Sequence, residues 1–513
     1  MPTRPSPVTD LAWSAEQASE FGGQVLDLWT ELLERLPQLP VNREFDPVDV
    51  AAAVALPVPE EPMPVDELVA HLRELTFEQS LLMGHPGFFA YISGAGTVPG
   101  AAAELLAAGL NPNLGGYRLG AGAAEIELHL TRWLAGRFGL PEGAGGMIMS
   151  GGAMANFVAL KCARDIGLGH DVRERGVREH GPVALYASEE AHVVIRRAAD
   201  MLGLGADAVR AIAIDAQQRM LPDALEAAIR RDLDAGVRPL AVCATAGTTT
   251  TGSIDPLPAI ARIAEQHGLW FHVDAAYGGA VALSDELRGL LDGAERADSL
   301  AIDPHKWLYT SQSAGCVLLR DFGALSRSFH SDASYIWLDE AARQGVDFAM
   351  HGPQFSRGFA ALKVWISLLA HGRAAYGRRI AHDVALARYL GELVEQHPDF
   401  GLMCEPRLSI CCFRYRPAGW SQGEEQLDRV NERLMTAIMA DGRVYCSNAV
   451  IDGRFGLRAC IVNFRTEAED VERLLAVATE LGPQAITGAS GSPASAASRS
   501  DSENSGSSRL PAR

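Results

Sequence analysis

The sequence predicts an α/β protein whose central, mostly parallel sheet is covered by helices on both faces, followed by a small C-terminal α+β domain. Three observations support this prediction. Apolar runs of strand length alternate with helical patterns through the middle of the chain. The intervening helices carry start or stop signals, and after about residue 373 the alternation gives way to longer helices and fewer strands. In such a sheet, ligands bind at the carboxyl ends of the strands.

Short apolar runs mark the predicted strands. In the large domain they are residues 183–188, 211–214, 240–245, 270–274, 299–303 and 316–319. In the smaller domain, a helix over residues 380–395 precedes predicted strands at 409–415 and 456–462.

Two helices between these strands have recognisable boundaries. Asp255 followed by Pro256 is typical of an N-cap with proline in the first turn. One apolar face then follows, made of Leu257, Ile260, Ala261 and Ala264. A second apolar stripe ends at Gly236 and is made of Leu225, Ala228, Ile229 and Leu233.

The two ends of the chain differ from its middle. Near the start, an amphipathic helix that needs a partner for its apolar face is predicted from Phe21, Val25, Leu28, Trp29 and Leu32. From about residue 484 the chain is rich in Ser, Ala and Gly, which predicts a disordered tail. We therefore divide the chain into an N-terminal helical segment (1–97), a large domain (98–373), a small domain (374–483) and the tail (484–513).

Composition excludes several classes of function. With 513 residues, 48% of them hydrophobic, the chain can bury a large core in two or three packed regions. Its formal net charge of −19 argues against binding the phosphate backbone of nucleic acid. Because no stretch approaches the roughly 20 apolar residues of a membrane span, we expect a cytoplasmic protein. The eight cysteines lack metal-site spacing, which predicts reduced core thiols and no metal.

Four groups with chemical potential lie at predicted strand ends or helix starts. Lys306 follows an apolar strand and stands beside a histidine, an arrangement suited to imine formation, although a single lysine is more often a surface charge. Asp274 ends a buried strand and needs a cationic or hydrogen-bonding partner, for which a protonated pyridine nitrogen or the start of the next helix would serve equally well.

The other two groups are individually weaker signals. The segment 150–156, Ser-Gly-Gly-Ala-Met-Ala-Asn, opens a helix where glycines let backbone N–H groups approach an anion such as phosphate. It matches neither common nucleotide-binding glycine pattern. His192 lies where a strand gives way to a helix and could stack on a planar cofactor or act as acid or base.

Together these segments, in this chain order, resemble the group II pyridoxal-5′-phosphate (PLP) decarboxylases, which include the aromatic-L-amino-acid and glutamate decarboxylases. The resemblance runs from about residue 84 to 466. It is carried by the segments at 150–156, 191–192, 245–252 (Thr-Ala-Gly-Thr-Thr-Thr-Thr-Gly), 272–279 (His-Val-Asp-Ala-Ala-Tyr-Gly-Gly) and 303–308 (Asp-Pro-His-Lys-Trp-Leu).

The resemblance implies a fold-type-I PLP enzyme that decarboxylates an L-amino acid, with Lys306 holding the cofactor as a Schiff base. Asp274 would pair with the pyridine nitrogen and keep it protonated, and His192 would stack on the ring. The further implied cofactor contacts are Thr249, Gly152, Ala153 and His305. This chain has Ala153 and Asp303 where some relatives place a hydroxyl side chain and an asparagine, so the role of Asp303 beside a phosphate is left open.

The resemblance also implies a loop that closes over the site at residues 328–352, where Tyr335 matches the tyrosine that protonates the substrate carbon after CO₂ leaves. Phe89 and Tyr91 resemble an aromatic pocket wall, and Ser356 a position that accompanies phenolic substrates. Arg458 resembles an arginine near the entrance, although a structural pairing is an equal expectation.

These matches favour an aromatic L-amino acid, but residues 111–122 lack the bulky aromatics of some such enzymes. Glutamate, aspartate and 2,4-diaminobutyrate stay open as substrates. An aldehyde synthase on the same scaffold is less favoured because Tyr335 and His192 are both present, and a non-catalytic homologue because Lys306 and Asp274 are kept. The resemblance further implies a homodimer wrapped by the N-terminal segments.

Overall fold

A computed structural model describes residues 5, 7–43, 45–331 and 344–488. Within these ranges the helices are α1 (Ala15–Arg35), α2 (Pro47–Val54), α3 (Val65–Arg73), α4 (Val98–Leu110), α5 (Ala121–Arg137), α6 (Gly152–Leu168), α7 (Val172–Arg175), α8 (Val194–Met201), α9 (Pro222–Asp234), α10 (Leu257–His267), α11 (Gly323–Phe329), α12 (Ala361–His371), α13 (Arg373–Gln396), α14 (Glu424–Asp441) and α15 (Ala468–Thr487).

The strands form two sheets. They are β1 (Gly145–Met149), β2 (Val183–Ser188), β3 (Val209–Ile212), β4 (Arg238–Thr245), β5 (Trp270–Asp274), β6 (Ser299–Ile302), β7 (Gly315–Leu319), β8 (Phe400–Leu402), β9 (Ile410–Tyr415), β10 (Ser447–Ile451) and β11 (Arg454–Cys460).

The large sheet has seven strands in the order β1-β7-β6-β5-β4-β2-β3. The pairs β6–β5, β5–β4, β4–β2 and β2–β3 are parallel, whereas β7 runs antiparallel to both β6 and β1. The predicted mostly parallel sheet is thus confirmed. Because β7 opposes both of its neighbours, β1 points the same way as β6, so their carboxyl ends share one edge of the sheet.

Most of the predicted strands form within two residues of their expected bounds, but two details differ. β3 begins at Val209, and Ile214 forms only an isolated bridge with Met220. β1 was not predicted, because two of its five residues are glycines. A methyl group on Gly146 would lie 1.9 Å from the carbonyl oxygen of Val317 on β7, so this edge pairing requires glycine.

The predicted apolar face of α10 is confirmed, since its four residues are all buried. The prediction that Asp255 caps this helix is wrong. Its carboxylate instead accepts hydrogen bonds from the backbone N–H groups of Met220 (2.7 Å) and Thr245 (2.8 Å), while Pro256 occupies the N-cap position. A short polar side chain before proline thus satisfies two buried backbone amides of other segments.

The small domain is an antiparallel sheet in the order β10-β11-β9-β8 packed on α13, α14 and α15. This agrees with the predicted α+β arrangement. α15 continues to Thr487, beyond residue 484 where the sequence predicts the tail to begin, and residues 489–513 lie outside the described ranges.

At the N-terminus, α1 forms as predicted and buries Leu28 in a small cluster with Leu36, Leu39, Phe77 and Leu82. Val25 and Leu26 stay exposed on the same helix. All eight cysteines are free, as predicted, and seven of them are buried. In the described ranges, no helix is both long enough and apolar enough to cross a membrane.

Candidate active site

The edge of the large sheet where its parallel strands end gathers the candidate residues. Asp274 is the last residue of β5, and its register partners are Thr245 at the end of β4 and Ala301 on β6. Lys306 lies in the turn that follows β6, and His192 in the turn that follows β2. The predicted convergence of these side chains therefore results from strand direction.

Lys306 forms a close ion pair with Asp303. The Lys306 Nζ atom lies 3.0 Å from Asp303 Oδ2, and His305 Nε2 lies 3.8 Å from the same oxygen. The Asp303 side chain is only 2% exposed and that of Lys306 24% exposed. The second oxygen, Asp303 Oδ1, is buried without a hydrogen-bond partner. The Lys306 amine is thus held at the mouth of the sheet by a buried carboxylate and is not a freely solvated surface charge.

Asp274 is buried, and among the described residues it forms no salt bridge. Its Oδ1 atom accepts a hydrogen bond from the backbone N–H of Ala276 at 3.1 Å. The alternative expectation that Asp274 caps the next helix is wrong, because Tyr277 is the N-cap residue of the 3₁₀ helix Gly278–Leu283 and no side chain caps it. One backbone bond does not compensate a buried negative charge. The free carboxylate oxygen can therefore receive a cationic or N–H donor.

His192 lies close enough to Asp274 and Lys306 for their charges to act on its pKa. Partial withdrawal from water lowers the pKa of His192, and the negative charge of Asp274 opposes that effect. Its Nδ1 atom accepts a 3.3 Å hydrogen bond from the backbone N–H of Val194, while the residue as a whole remains exposed. The Val194 N–H thus holds the ring at Nδ1, while the rest of the ring is open to solvent.

The glycine segment opens α6 at the same edge. A methyl group added at Gly152 would lie 2.7 Å from Asp303 Oδ2, and one added at Gly315 would lie 2.4 Å from the carbonyl carbon of Gly151. Ala153, in the first turn, is exposed. His305 is fixed beside this turn, since its Nδ1 atom lies 2.7 Å from the carbonyl oxygen of Ala314; burial lowers the pKa of His305. The free N–H groups of a helix start are a suitable cradle for an anion.

A buried histidine that the sequence analysis did not single out supports this cradle. His272, two residues before Asp274 and on the same face of β5, places Nε2 at 2.6 Å from Asn156 Oδ1 and Nδ1 at 2.8 Å from Ser299 Oγ. Asn156 donates to the carbonyl oxygen of Gly152 at 2.8 Å. Burial lowers the pKa of His272 to about 4, so the ring is neutral. The period-2 spacing of His272 and Asp274 was the available sequence signal.

Arg458 has a structural role. It is buried and donates to the carbonyl oxygens of Thr250 (3.2 Å) and Tyr91 (3.0 Å) and to Ser447 Oγ (3.2 Å). It thereby connects the turn that carries Thr249 to the segment that carries Tyr91. Tyr91 has a positive φ of 55° and is 54% exposed, and Thr249 is also exposed. Both side chains are available to a ligand.

Two predicted residues lie elsewhere, and a third falls outside the described residues. Phe89 is 0% exposed and belongs to the core of the small domain, so its ring packs against that sheet instead of lining an open pocket. Ser356 lies on a separate cleft that Ser150 and Ser313 also line. Tyr335 is outside the described residues.

The described donors fit pyridoxal phosphate. Its aldehyde requires an amine, which Lys306 supplies. Its pyridine nitrogen requires a buried anion, and Asp274 is one without an ion-pair partner. Its phosphate requires free N–H groups, which the start of α6 offers. The poorly matched element is Asp303, an additional carboxylate at the same helix start.

Comparison with known proteins gives the same assignment. A family model, the pyridoxal-dependent decarboxylase conserved domain, matches residues 47–416. The aromatic-L-amino-acid decarboxylase of Bacillus atrophaeus is 32% identical over 467 residues, which cover 91% of this chain and 95% of that protein. Phenylacetaldehyde synthase of Arabidopsis thaliana is 28% identical, over 89% and 94% of the two chains.

Among solved structures, that of Oryza sativa TDC with PLP and tryptamine superposes with a TM-score of 0.87 at 27% identity. The superposition covers 93% of this chain and 99% of the other. Most of this chain therefore has a counterpart in a single solved fold.

Proposed function

The chain belongs to the pyridoxal-dependent decarboxylase family, and from this premise we propose that it converts an aromatic L-amino acid to the corresponding amine and CO₂. The observation that carries the proposal is the convergence of Lys306, Asp274 and His192 at one edge of the sheet. The cofactor is pyridoxal phosphate. The aromatic substrate is supported by the relative from Bacillus atrophaeus and by the exposed ring of Tyr91.

When bound, the cofactor supplies an electron sink for the bond between the substrate α-carbon and its carboxylate. The chain has to hold and orient it. We propose that Lys306 Nζ holds the aldehyde carbon, that the Asp274 carboxylate holds a proton on the pyridine nitrogen through its negative charge, and that the first N–H groups of α6 at Gly152 and Ala153, with His305, bind the phosphate.

The remaining roles concern the ring and the substrate. The open side of His192 would cover one face of the cofactor, and Thr249 would lie near its edge. Tyr91 would contact the aromatic side chain of the substrate, held in place through the Arg458 bond to its carbonyl oxygen. We leave Phe89 and Ser356 out of this pocket, because Phe89 is buried in the small-domain core and Ser356 lines another cleft.

We also propose that the active protein is a homodimer. Three leucines on one helix, α4, support this: Leu105, Leu106 and Leu110 are 75%, 63% and 71% exposed. An isolated chain would leave this apolar surface in water. The exposed face of α1 would contact the second subunit in the same assembly.

The experiment that tests the proposal is a panel of L-amino acids assayed for CO₂ release by the purified, PLP-supplemented protein. The panel contains tyrosine, DOPA, tryptophan, phenylalanine, glutamate, aspartate and 2,4-diaminobutyrate. We expect release from one or more aromatic members, and none from any member in the Lys306→Ala variant. Release from an acidic member alone would contradict the aromatic assignment, and release from none would contradict the decarboxylase proposal.

An aromatic acetaldehyde synthase is the second candidate, because one of the matched relatives has that activity. The same assay separates the two when ammonia and hydrogen peroxide are measured beside CO₂. A decarboxylase gives amine without either, whereas the synthase gives aldehyde together with both.

A further inference from the structure

The residue that follows Lys306 in the chain is held by a buried carboxylate of α13. Trp307 is completely buried, and its indole N–H donates to Asp383 Oδ2 at 2.8 Å. The hydroxyl of Tyr309 donates to the same oxygen at 2.7 Å. Asp383 is itself completely buried. Because a buried indole N–H or phenol O–H needs an acceptor, one oxygen of Asp383 serves two residues of the segment that carries Lys306.

A second contact connects this segment to the turn that follows Asp274. The rings of Trp307 and Tyr277 are stacked, with centroids 5.1 Å apart and 25° between their planes. The far end of Tyr277 is also fixed, since its hydroxyl lies 2.7 Å from Ser409 Oγ and accepts from the Ser409 N–H at 3.0 Å. The segments that carry Lys306 and Asp274 therefore share one buried aromatic contact.

The other oxygen of Asp383 fixes the carboxylate itself. Its Oδ1 atom lies 2.8 Å from both Nε and Nη2 of Arg379, which is four residues earlier on α13. Arg379 also donates to the carbonyl oxygen of Thr466 at 2.6 Å and to the Glu467 carboxylate at 2.7 Å. The ion pair compensates the buried negative charge of Asp383. Arg379 thus holds this carboxylate independently of the two aromatic donors.

We propose that Asp383 is a positioning residue for Lys306. It acts through the buried Trp307 and, by way of the stack with Tyr277, fixes the lysine amine relative to the Asp274 carboxylate. The inference rests on the proposed function in taking that amine and that carboxylate as the groups that hold the cofactor. Their relative position matters, because a displacement of about 1 Å can lower a rate by about a hundredfold.

The test uses the full-length, PLP-supplemented protein. Visible circular dichroism per bound cofactor reports how the PLP ring is held, because PLP in solution is achiral and gains a signal only in a fixed, asymmetric site. The values of kcat and KM are measured for the amino acid that the protein decarboxylates. The urea midpoint of unfolding is measured beside them, because a carboxylate of purely structural importance would change stability alone.

Asp383→Asn is the first variant. Its single acceptor oxygen cannot face the aromatic donors and the Arg379 guanidinium at the same time. We expect the visible dichroism per bound cofactor to fall by about half or more and kcat to fall about tenfold or more. The value of KM should stay within about twofold, because no contact with the substrate is removed.

Tyr309→Phe decides the question if Asp383→Asn does not fold, because it removes one hydroxyl and keeps the ring. We expect a change of the same readouts in the same direction by a smaller factor. Tyr376→Phe is the matched control, since the Tyr376 ring is buried and stacks on Tyr309 at 6.0 Å. The donors to Asp383 described above do not include its hydroxyl. This variant should retain the dichroism and kcat of wild type.

Wild-type dichroism and kcat in Tyr309→Phe and in folded Asp383→Asn, with only the unfolding midpoint lowered, would overturn the proposal. An equal effect of Tyr376→Phe would overturn it too, because any loss of packing near Tyr309 would then suffice. The proposed function fails separately. If wild type binds PLP with a visible band and releases no CO₂ from any amino acid, decarboxylation is wrong, while the dichroism of the variants still tests the positioning role.

Discussion

At the scale of single residues, the site combines groups that act by charge with one that acts by remaining neutral. Lys306 and Asp274 have opposite charges and lie at the same edge of the sheet. His272 lies below them and links β5 to α6 through Asn156 while uncharged. Because Asn156 donates its amide N–H to the Gly152 carbonyl, its oxygen must accept from His272 Nε2, and Ser299 then donates to Nδ1. A neutral ring satisfies this order of donors, and Ser299 Oγ also accepts from Trp270 Nε1.

The neutral state of the His272 ring leads to a prediction about pH and stability. Burial lowers the pKa of His272 from its ordinary value of 6.5 to about 4. The unfolded chain therefore takes up a proton first as the pH falls, and the native state loses up to about 3 kcal/mol from this group between pH 6.5 and 4. In His272→Gln this loss is absent.

We therefore expect the stability advantage of wild type over His272→Gln, measured by urea unfolding, to shrink as the pH is lowered over that interval. Comparing the two proteins cancels the contributions of all other titrating groups. A difference that stays constant across the interval would show that the native ring can be charged.

Tyr335 carries a second prediction at this scale, although the residue lies outside the described part of the chain. If it protonates the substrate carbon, Tyr335→Phe should retain the visible absorbance of bound PLP and lose amine product by about a hundredfold or more, the usual contribution of a general acid. Amine formation at the wild-type rate would exclude the assignment, and Tyr389→Phe, at a half-buried tyrosine of α13 whose hydroxyl donates to Glu472, is the control.

At the scale of elements, the periodic segments were predictable and the exceptions have local causes. Strand β5 and the apolar face of α10 follow directly from residue pattern. β1 escaped prediction because close contact with β7, and not apolar side chains, selects its glycines. Phe89 looked like a pocket residue from its motif, but a backbone pairing with Tyr445 directs it into the small-domain core. Contacts between distant segments decide such cases.

Asp255 is another residue whose role depends on contacts between distant segments, and it gives a third prediction. Its two oxygens each accept a backbone N–H, one from the end of β4 and one from Met220. Asparagine has only one acceptor oxygen, so Asp255→Asn leaves one buried N–H facing an amide N–H. We expect a loss of about 1–3 kcal/mol in the free energy of unfolding at pH 7.

Burial raises the pKa of Asp255 to about 6. A raised pKa means that the ionised carboxylate is itself costly at pH 7, and the substitution removes that cost. The two effects oppose each other, and we expect the lost hydrogen bond to be the larger. Asp234→Asn, exposed at the end of α9, is the control for loss of charge. Equal stability of Asp255→Asn and wild type would contradict the expectation.

At the scale of the whole molecule, the exposed leucines of α4 give a prediction about assembly. If they lie in a subunit interface, Leu106→Lys places a charge in it and should shift the mass in solution from dimer to monomer, as measured by light scattering. Leu233→Lys, at a similarly exposed leucine on α9, is the matched control. A wild-type chain that is monomeric while carrying PLP would contradict the homodimer.

The position of Arg458 has a consequence for how the protein unfolds on heating. Its backbone belongs to β11 of the small sheet. Its guanidinium donates to the carbonyl oxygen of Thr250 in the large domain and to that of Tyr91 in the N-terminal segment. If the small domain unfolds, the Thr249–Thr250 turn and the Tyr91 segment lose these hydrogen bonds together. Heating should therefore abolish turnover and melt the C-terminal sheet at a common midpoint, with no inactive species in which the rest of the catalytic cleft survives.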